Sequence, residues 1–163
     1  MQMPRPNPDV LTRKAELVRR LHALLPSDSV ISDPVETKAY ECDGLSAYRC
    51  PPMAAVLPRS TQEVAAVLKL CHEMNVPVVP RGAGTSLAGG ALPTADSLIL
   101  GVARMNDVLE TDYENRVIKV QTGRTNLSVT GAVEAQGFFY APDPSSQLAL
   151  SLIHISEPTR RRG

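Results

Sequence analysis

VPVVPRGAGTSLAGG, residues 76–90, runs an apolar strand-like segment straight into a loop with four glycines and no lysine. Glycine permits positive φ and lets bare backbone N–H groups come close to a ligand. Successive N–H groups in such a turn form an anion-binding nest, so the loop suits phosphate. Two common phosphate motifs are excluded by position. A P-loop needs Lys and then Ser or Thr after its last glycine, whereas Gly90 is followed by Ala91. The Rossmann pattern G-x-G-x-x-G is met at Gly82 and Gly84, but its third glycine position holds Leu87. A plain loop turning a sheet corner is the bland alternative. Four glycines fed by a strand, with Arg81, Thr85 and Ser86 among them, favour a ligand loop.

Working outward, the segments on either side read as a βαβ unit. AAVLP (54–58) is a short apolar strand. STQEVAAVLKLCHEMN (60–75) reads as a helix that opens with Ser60 and Glu63 at capping-box spacing. Val64, Val67, Leu68 and Cys71 are expected on its buried face, and His72 is read as structural. VPVVP (76–80) is the second strand, which implies a right-handed crossover and a parallel pair. Downstream, SLILG (97–101), DVLETD (107–112) and RVIKVQTG (116–123) read as strands, the last two joined by a turn at Glu114–Asn115. TNLSVTGAVEAQG (125–137) reads as a helix stopped by Gly137. FFYAPDPSS (138–146) reads as a strand entering a turn.

Upstream, the Pro-rich residues 1–8 are expected to be disordered. DVLTRKAELVRRLHALLP (9–26) reads as one amphipathic helix ended by Pro26. Val10, Leu11, Leu17, Val18, Leu21, Leu24 and Leu25 lie on its apolar face, and Arg13, Lys14, Arg19 and Arg20 on a solvated one. His22 is read as a surface residue. Residues 26–52 are loop-rich and centre on YECDGLSAYR (40–49). The fold class expected is α+β, a βαβ unit plus a small mixed sheet behind an N-terminal helix.

Composition narrows the function. The 163 residues carry 43% hydrophobic and 21% charged side chains and no formal net charge. A nucleic-acid partner gains no electrostatic support from that balance, and no run of about 18 apolar residues suggests a membrane span. MQMPRPNPDV lacks the apolar centre of a secretory signal. Cys42, Cys50 and Cys71 form no C-x-x-C pair. They are read as reduced thiols of a cytoplasmic protein, with no metal site.

The segment LSLIHISEPTRRRG (150–163) breaks with what precedes it. Leu150 through Arg160 resembles one reading frame of a transposon-end sequencing adapter, so 150–163 is expected to be an artefactual tail. With Arg160, Arg161, Arg162 and Glu157 set aside, the 17 basic and 17 acidic residues become 14 and 16, a net of −2. The organisation expected is a tail and helix over 1–34, part of a larger domain over 35–149, and the artefactual 150–163.

Three motifs carry a resemblance to a known family. PVVPRGAGTSLAGGALP (77–93) is similar to the pyrophosphate loop of flavoproteins with the vanillyl-alcohol-oxidase, or PCMH-type, FAD-binding domain. Together with YECDGLSAYR and YAPDPSS, and in the same order, it resembles the FAD-binding subunits of bacterial glycolate oxidases over roughly 35–149. D-lactate and D-2-hydroxyglutarate dehydrogenases share the glycine-rich loop and fit YECDGLSAYR less well.

The resemblance implies the first lobe of a PCMH-type FAD-binding domain. Its FAD pyrophosphate would be wrapped by the backbone around Arg81, Gly82, Ala83, Gly84, Thr85 and Ser86. Gly89 and Gly90 would continue along the cofactor, and Pro142, Asp143, Ser145 and Ser146 would form a second wall. Some relatives attach flavin through a His at the Thr85 position; Thr cannot form that bond, which implies non-covalent FAD. The implied reaction is oxidation of a 2-hydroxy acid by hydride transfer from its α-carbon to flavin N5, with electrons passed to a membrane-linked acceptor rather than NAD. An iron–sulfur partner subunit is implied, and a cytoplasmic location peripheral to the inner membrane. In the family the substrate-binding and proton-accepting groups belong to later chain, so no catalytic residue is named. Asp143, between two prolines, is read as a turn residue. Two competing expectations are a truncated lobe that binds no flavin and a phosphate-binding regulatory module.

Overall fold

Each of the first two helices begins where the backbone hydrogen bonds dictate. In the computed structural model, which describes residues 3–141, Asn7 caps helix α1 (Pro8–Thr12) by accepting from the Asp9 N–H at 3.0 Å. Pro8 sits at the first helical position, where its missing donor costs nothing. Asn7 and Pro8, expected to be disordered, are thus the start of a helix. The single helix expected over 9–26 is two. The Asp9 carbonyl accepts from the Thr12 hydroxyl and from Arg13 Nε, each at 3.0 Å, and the Arg13 amide turns to Val10 instead. Competition for that one carbonyl breaks the ladder.

Helix α2 (Lys14–Leu24) follows and buries Leu17 and Leu21. Val10 and Leu25 are buried as expected, but Leu11 and Leu24 are exposed and Val18 is half-buried. Arg20, read as solvated, pairs with Glu73 at 2.7 Å on the exposed rim.

The chain then builds a four-stranded sheet from β1 (Val30–Ile31), β2 (Ala54–Val56), β3 (Val78–Arg81) and β4 (Leu98–Gly101), ordered β1-β2-β4-β3. β1 runs antiparallel to β2, while β2–β4 and β3–β4 are parallel, with Ala55 opposite Ile99 and Arg81 opposite Gly101. The βαβ unit is real, but β4 inserts between its two strands, so β2 and β3 are parallel without being neighbours. Every residue of β2 and β4 is buried, as strands covered on both faces should be. β3 is the edge, which is why Pro80 is tolerated in it.

Helix α3 (Thr61–Glu73) makes the crossover. The Ser60 hydroxyl accepts from the Glu63 N–H at 3.2 Å. The Glu63 carboxylate reaches back to the Arg59 N–H at 2.7 Å, one residue earlier than a standard capping box. At the other end Asn75 adopts φ 51, and the Asn75 and Val76 amides return to His72 and Cys71. The buried stripe is Val67, Leu70, Cys71 and Met74, spaced i, i+3, i+4, i+7. Leu68, expected in it, lies about 100° off that stripe and is 45% exposed; Val64 is half-buried.

These elements belong to one compact unit, Met1–Met105; a second runs from Asn106 to Gly163. In the second, β5 (Val108–Asp112) and β6 (Val117–Val120) form an antiparallel hairpin with a register shift between Val108 and Glu110. Asp112 accepts from the Asn115 backbone and side-chain N–H groups at 2.9 and 2.7 Å, and Arg116 takes φ 56 to close the turn. Helix α4 (Asn126–Val133) continues through a 3-10 turn to Gly137 at φ 79, the stop expected there. Residues 138–141 form no strand, against the expectation for FFYAPDPSS. The Phe138 amide instead returns to Val133 at 3.4 Å, and the Tyr140 amide donates to the Thr130 hydroxyl at 3.2 Å. The rest of that motif and the tail 150–163 lie outside the described residues.

Candidate functional site

Because β2, β3 and β4 are parallel, their carboxyl ends share one edge of the sheet, the edge where open α/β sheets bind ligands. The glycine-rich loop leaves β3 there. Its start is fixed by the sheet: Arg81 faces Gly101, and its carbonyl accepts from the Val102 N–H at 3.0 Å. Its exit is fixed by Pro93, which is fully buried. Between these anchors Gly84 is buried at φ 72, and Gly89 takes φ 76 with open space where a Cβ would be. Ala83, Thr85 and Gly90 are exposed; Gly82, Ser86 and Gly89 are half-buried. The Ser86 hydroxyl accepts from the Ala88 N–H at 3.2 Å and keeps its own proton for another acceptor. Leu87 projects 76% exposed.

The structure thus brings Arg81, Gly82, Ala83, Gly84, Thr85, Ser86, Gly89 and Gly90 into one loop. Pro142, Asp143, Ser145 and Ser146 lie outside the described residues.

Sequence reasoning missed what lies behind the loop. A 3-10 turn, Glu36–Tyr40, delivers the segment Tyr40–Leu45 against it. Arg81 Nη1 donates to the Cys42 carbonyl at 2.7 Å, and the guanidinium carbon stands 5.6 Å from the centre of the Tyr40 ring. A Cβ on Gly84 would fall on that guanidinium, and one on Gly44 would meet the Thr85 and Ser86 carbonyl oxygens at 2.8 and 2.9 Å. Asp43 shapes the turn by accepting from the Leu45 N–H at 2.9 Å, while its other oxygen, Oδ2, is buried without a partner. The motif YECDGLSAYR was visible in the sequence; its contact across some forty residues was not.

Elsewhere on the same edge Asp28 binds both Arg59, at 2.6 Å, and Arg104, at 2.9 Å. Burial, and then the charge of Asp96, push the Cys50 thiol up, and burial pushes Cys71 up to about 11. Both are neutral thiols near pH 7, with no nucleophilic character. Among the described residues no three His, Cys, Asp or Glu side chains gather as metal ligands, and no helix is long and apolar enough to cross a membrane. A separate cleft of about 410 Å³ lies within the second unit, lined by Tyr113, Arg116, Val117, Phe138, Phe139 and Tyr140. It holds none of the candidate loop residues.

A diphosphate fits this loop. Main-chain N–H groups and two hydroxyls supply donors, and the space beside Gly89 admits close approach. Fold and loop together fit one class: an α+β domain with a glycine-rich loop suited to a dinucleotide, without lysine and without a Rossmann turn. Residues 52–152 match the FAD binding domain family, and the chain belongs to that family. The expected fold class, the PCMH-type FAD-binding kind, therefore stands, and FAD is the family's cofactor.

The glycolate oxidase subunit GlcD of Escherichia coli K12 is 43% identical over 145 residues, covering 89% of this chain and 29% of that protein. A D-lactate dehydrogenase of Anaerostipes hadrus is 34% identical over 135 residues, 82% of this chain and 28% of its own length. This chain thus spans less than a third of either relative. Among solved structures, an alkyldihydroxyacetonephosphate synthase superposes with TM-score 0.78 at 24% identity, over 93% of this chain and 29% of that one. At that identity the likeness speaks for the fold alone.

Proposed function

We propose that this chain holds the FAD diphosphate in a flavin-dependent 2-hydroxy-acid dehydrogenase of the glycolate oxidase type, which converts glycolate to glyoxylate. The observation that carries the reading is the braced, lysine-free glycine loop at the carboxyl end of β3. Amides of 82–86 and the hydroxyls of Thr85 and Ser86 donate to the phosphate oxygens. Gly89 and Gly90 leave room for the cofactor to run on, and Pro142, Asp143, Ser145 and Ser146, outside the described residues, are kept as further candidates for the flavin site. When bound, FAD supplies the chemistry by taking hydride at N5 from the α-carbon. Thr85 offers no attachment point, so the flavin is held non-covalently.

Glycolate is preferred as substrate because the GlcD likeness, 43%, exceeds the 34% of the D-lactate enzyme. D-lactate or D-2-hydroxyglutarate is the second reading, and a lobe that binds no flavin the third. The whole protein works beside an iron–sulfur subunit and passes electrons to a membrane-linked acceptor, on the cytoplasmic side of the membrane; the name of the GlcD relative, a subunit, supports a partner subunit and does not say of what kind. The chain is organised as a tail and helix over 1–34, the domain portion over 35–149 and an artefactual 150–163.

Titration of the purified chain with FAD, followed by acid precipitation, tests the reading. Saturable quenching of flavin fluorescence, with all flavin in the acid supernatant, is expected. A chain that leaves flavin fluorescence unchanged refutes FAD binding, and flavin retained in the pellet refutes non-covalent attachment.

A further inference from the structure

We infer that Arg81 is a positioning residue whose side chain works behind the glycine-rich loop: tied to the Tyr40–Gly44 turn, it sets the loop's shape from the face opposite the cofactor. The inference rests on the FAD reading for its purpose, but its geometry is independent. A lone arginine in a phosphate loop invites assignment as a phosphate ligand. Here the guanidinium is already engaged. It donates to the Cys42 carbonyl at 2.7 Å, lies over the Tyr40 ring, and occupies the space a side chain at position 84 would need. Gly84 is therefore glycine for two reasons, its φ of 72 and the guanidinium beneath it.

The same turn touches the loop a second time. Gly44 sits where any side chain would strike the Thr85 and Ser86 carbonyl oxygens. The backbone of residues 85 and 86 therefore lies in close contact with the turn at Gly44. The brace thereby holds the loop at two points, through Arg81 at its start and through the backbone of Thr85 and Ser86 at its middle. Arg81 suits the task because its planar fork can stack on an aromatic ring and donate at once, which a lysine ammonium cannot reproduce. Its charge stays behind the loop and adds a favourable field for an anion on the other face without contacting it.

The full 163-residue chain tests this by amide hydrogen exchange of peptides covering 82–90, with FAD titration as a second readout. Arg81→Ala should speed loop exchange about tenfold, the loss of one charge-assisted hydrogen bond, while β2 and β4 keep their protection. Arg81→Lys should restore only part of it, and methylguanidinium added to Arg81→Ala should restore more. Gly44→Ala, which leaves Arg81 intact, should loosen the same peptides. FAD affinity should fall about tenfold in Arg81→Ala. Loop exchange within twofold of the parent chain, acceleration spread evenly over β2 and β4, or unchanged FAD affinity in a loosened loop would each overturn the inference. A chain that shows the exchange pattern yet binds no FAD refutes the functional reading and leaves the brace standing.

Discussion

Substituting alanine at two glycines of one loop separates backbone strain from the brace. Gly89 and Gly84 adopt nearly the same φ, 76 and 72. At Gly89 nothing lies within 4 Å of an added Cβ, so Gly89→Ala bears only the left-handed penalty, roughly 1–2 kcal/mol. Gly84→Ala bears that penalty and also displaces the Arg81 guanidinium from the Cys42 carbonyl. A hydrogen bond from a charged donor contributes about 1.5–3 kcal/mol, and this half-buried one belongs at the low end. Gly84→Ala should therefore cost about 3 kcal/mol, twice its neighbour. Arg81→Ala alone should cost about 1.5 kcal/mol, and in the double variant the new methyl has no guanidinium to strike. The double should then cost about 3 kcal/mol rather than the 4.5 of simple addition, a coupling of about 1.5. Urea unfolding of the four chains of the cycle and of Gly89→Ala, followed by far-UV circular dichroism, measures each corner and the strain reference. If Gly84→Ala is no worse than Gly89→Ala, or the double is additive within about 0.5 kcal/mol, the guanidinium does not fill the space beneath the loop.

Two further predictions concern the first unit. Burial raises the Cys71 thiol from 9.0 to about 11, so the folded chain holds that proton more tightly than the unfolded one. Its stabilising effect is complete below pH 9 and disappears as pH rises toward 11, a loss of up to about 2.7 kcal/mol. Unfolding free energies at pH 8 and 11 should converge between parent and Cys71→Ala, and parallel curves would refute the buried thiol. Ser60→Ala removes the acceptor of the Glu63 N–H and should cost about 1 kcal/mol, with Ser60→Thr within a few tenths; equal melting temperatures for Ser60→Ala and the parent would show that α3 does not depend on this cap.

What the sequence made legible was local. Apolar runs, a cap at Ser60 and a stop at Gly137 are written in neighbouring residues, and except at 138–141 the strands and helix ends they mark formed close to where they were expected. Strand order was not legible, because AAVLP and SLILG read alike whichever pairs with which; only the chain's return through 98–101 places β4 between β2 and β3. The N-terminal helix was misjudged because periodicity carries no sign that the Thr12 hydroxyl and Arg13 side chain would both claim the Asp9 carbonyl. Leu68 departs from expectation for a similar reason: two overlapping stripes fit α3, and contact with α2 accompanies burial of the one through Leu70. At the site, the loop announced itself by composition, whereas the role of YECDGLSAYR rests on contacts between residues 42 and 81, and 44 and 85.

The proposed phosphate loop, which has no lysine, faces a problem that a P-loop does not. Its binding power lies in the direction of main-chain dipoles, and glycine, which permits that direction, also surrenders the most conformational entropy when it is held. The loop must therefore be stiffened by something other than its own side chains. Here its ends are pinned by the β3–β4 register and by Pro93, and its middle by the Tyr40–Gly44 turn. Arg81 joins the two devices. Its backbone is the last rung of β3, held against Gly101 and Val102, and its side chain crosses beneath Gly84 to Cys42. A slip of one residue in β3 would turn that side chain to the other face of the sheet and leave the turn without its donor. Strand register and loop shape thus both depend on one residue.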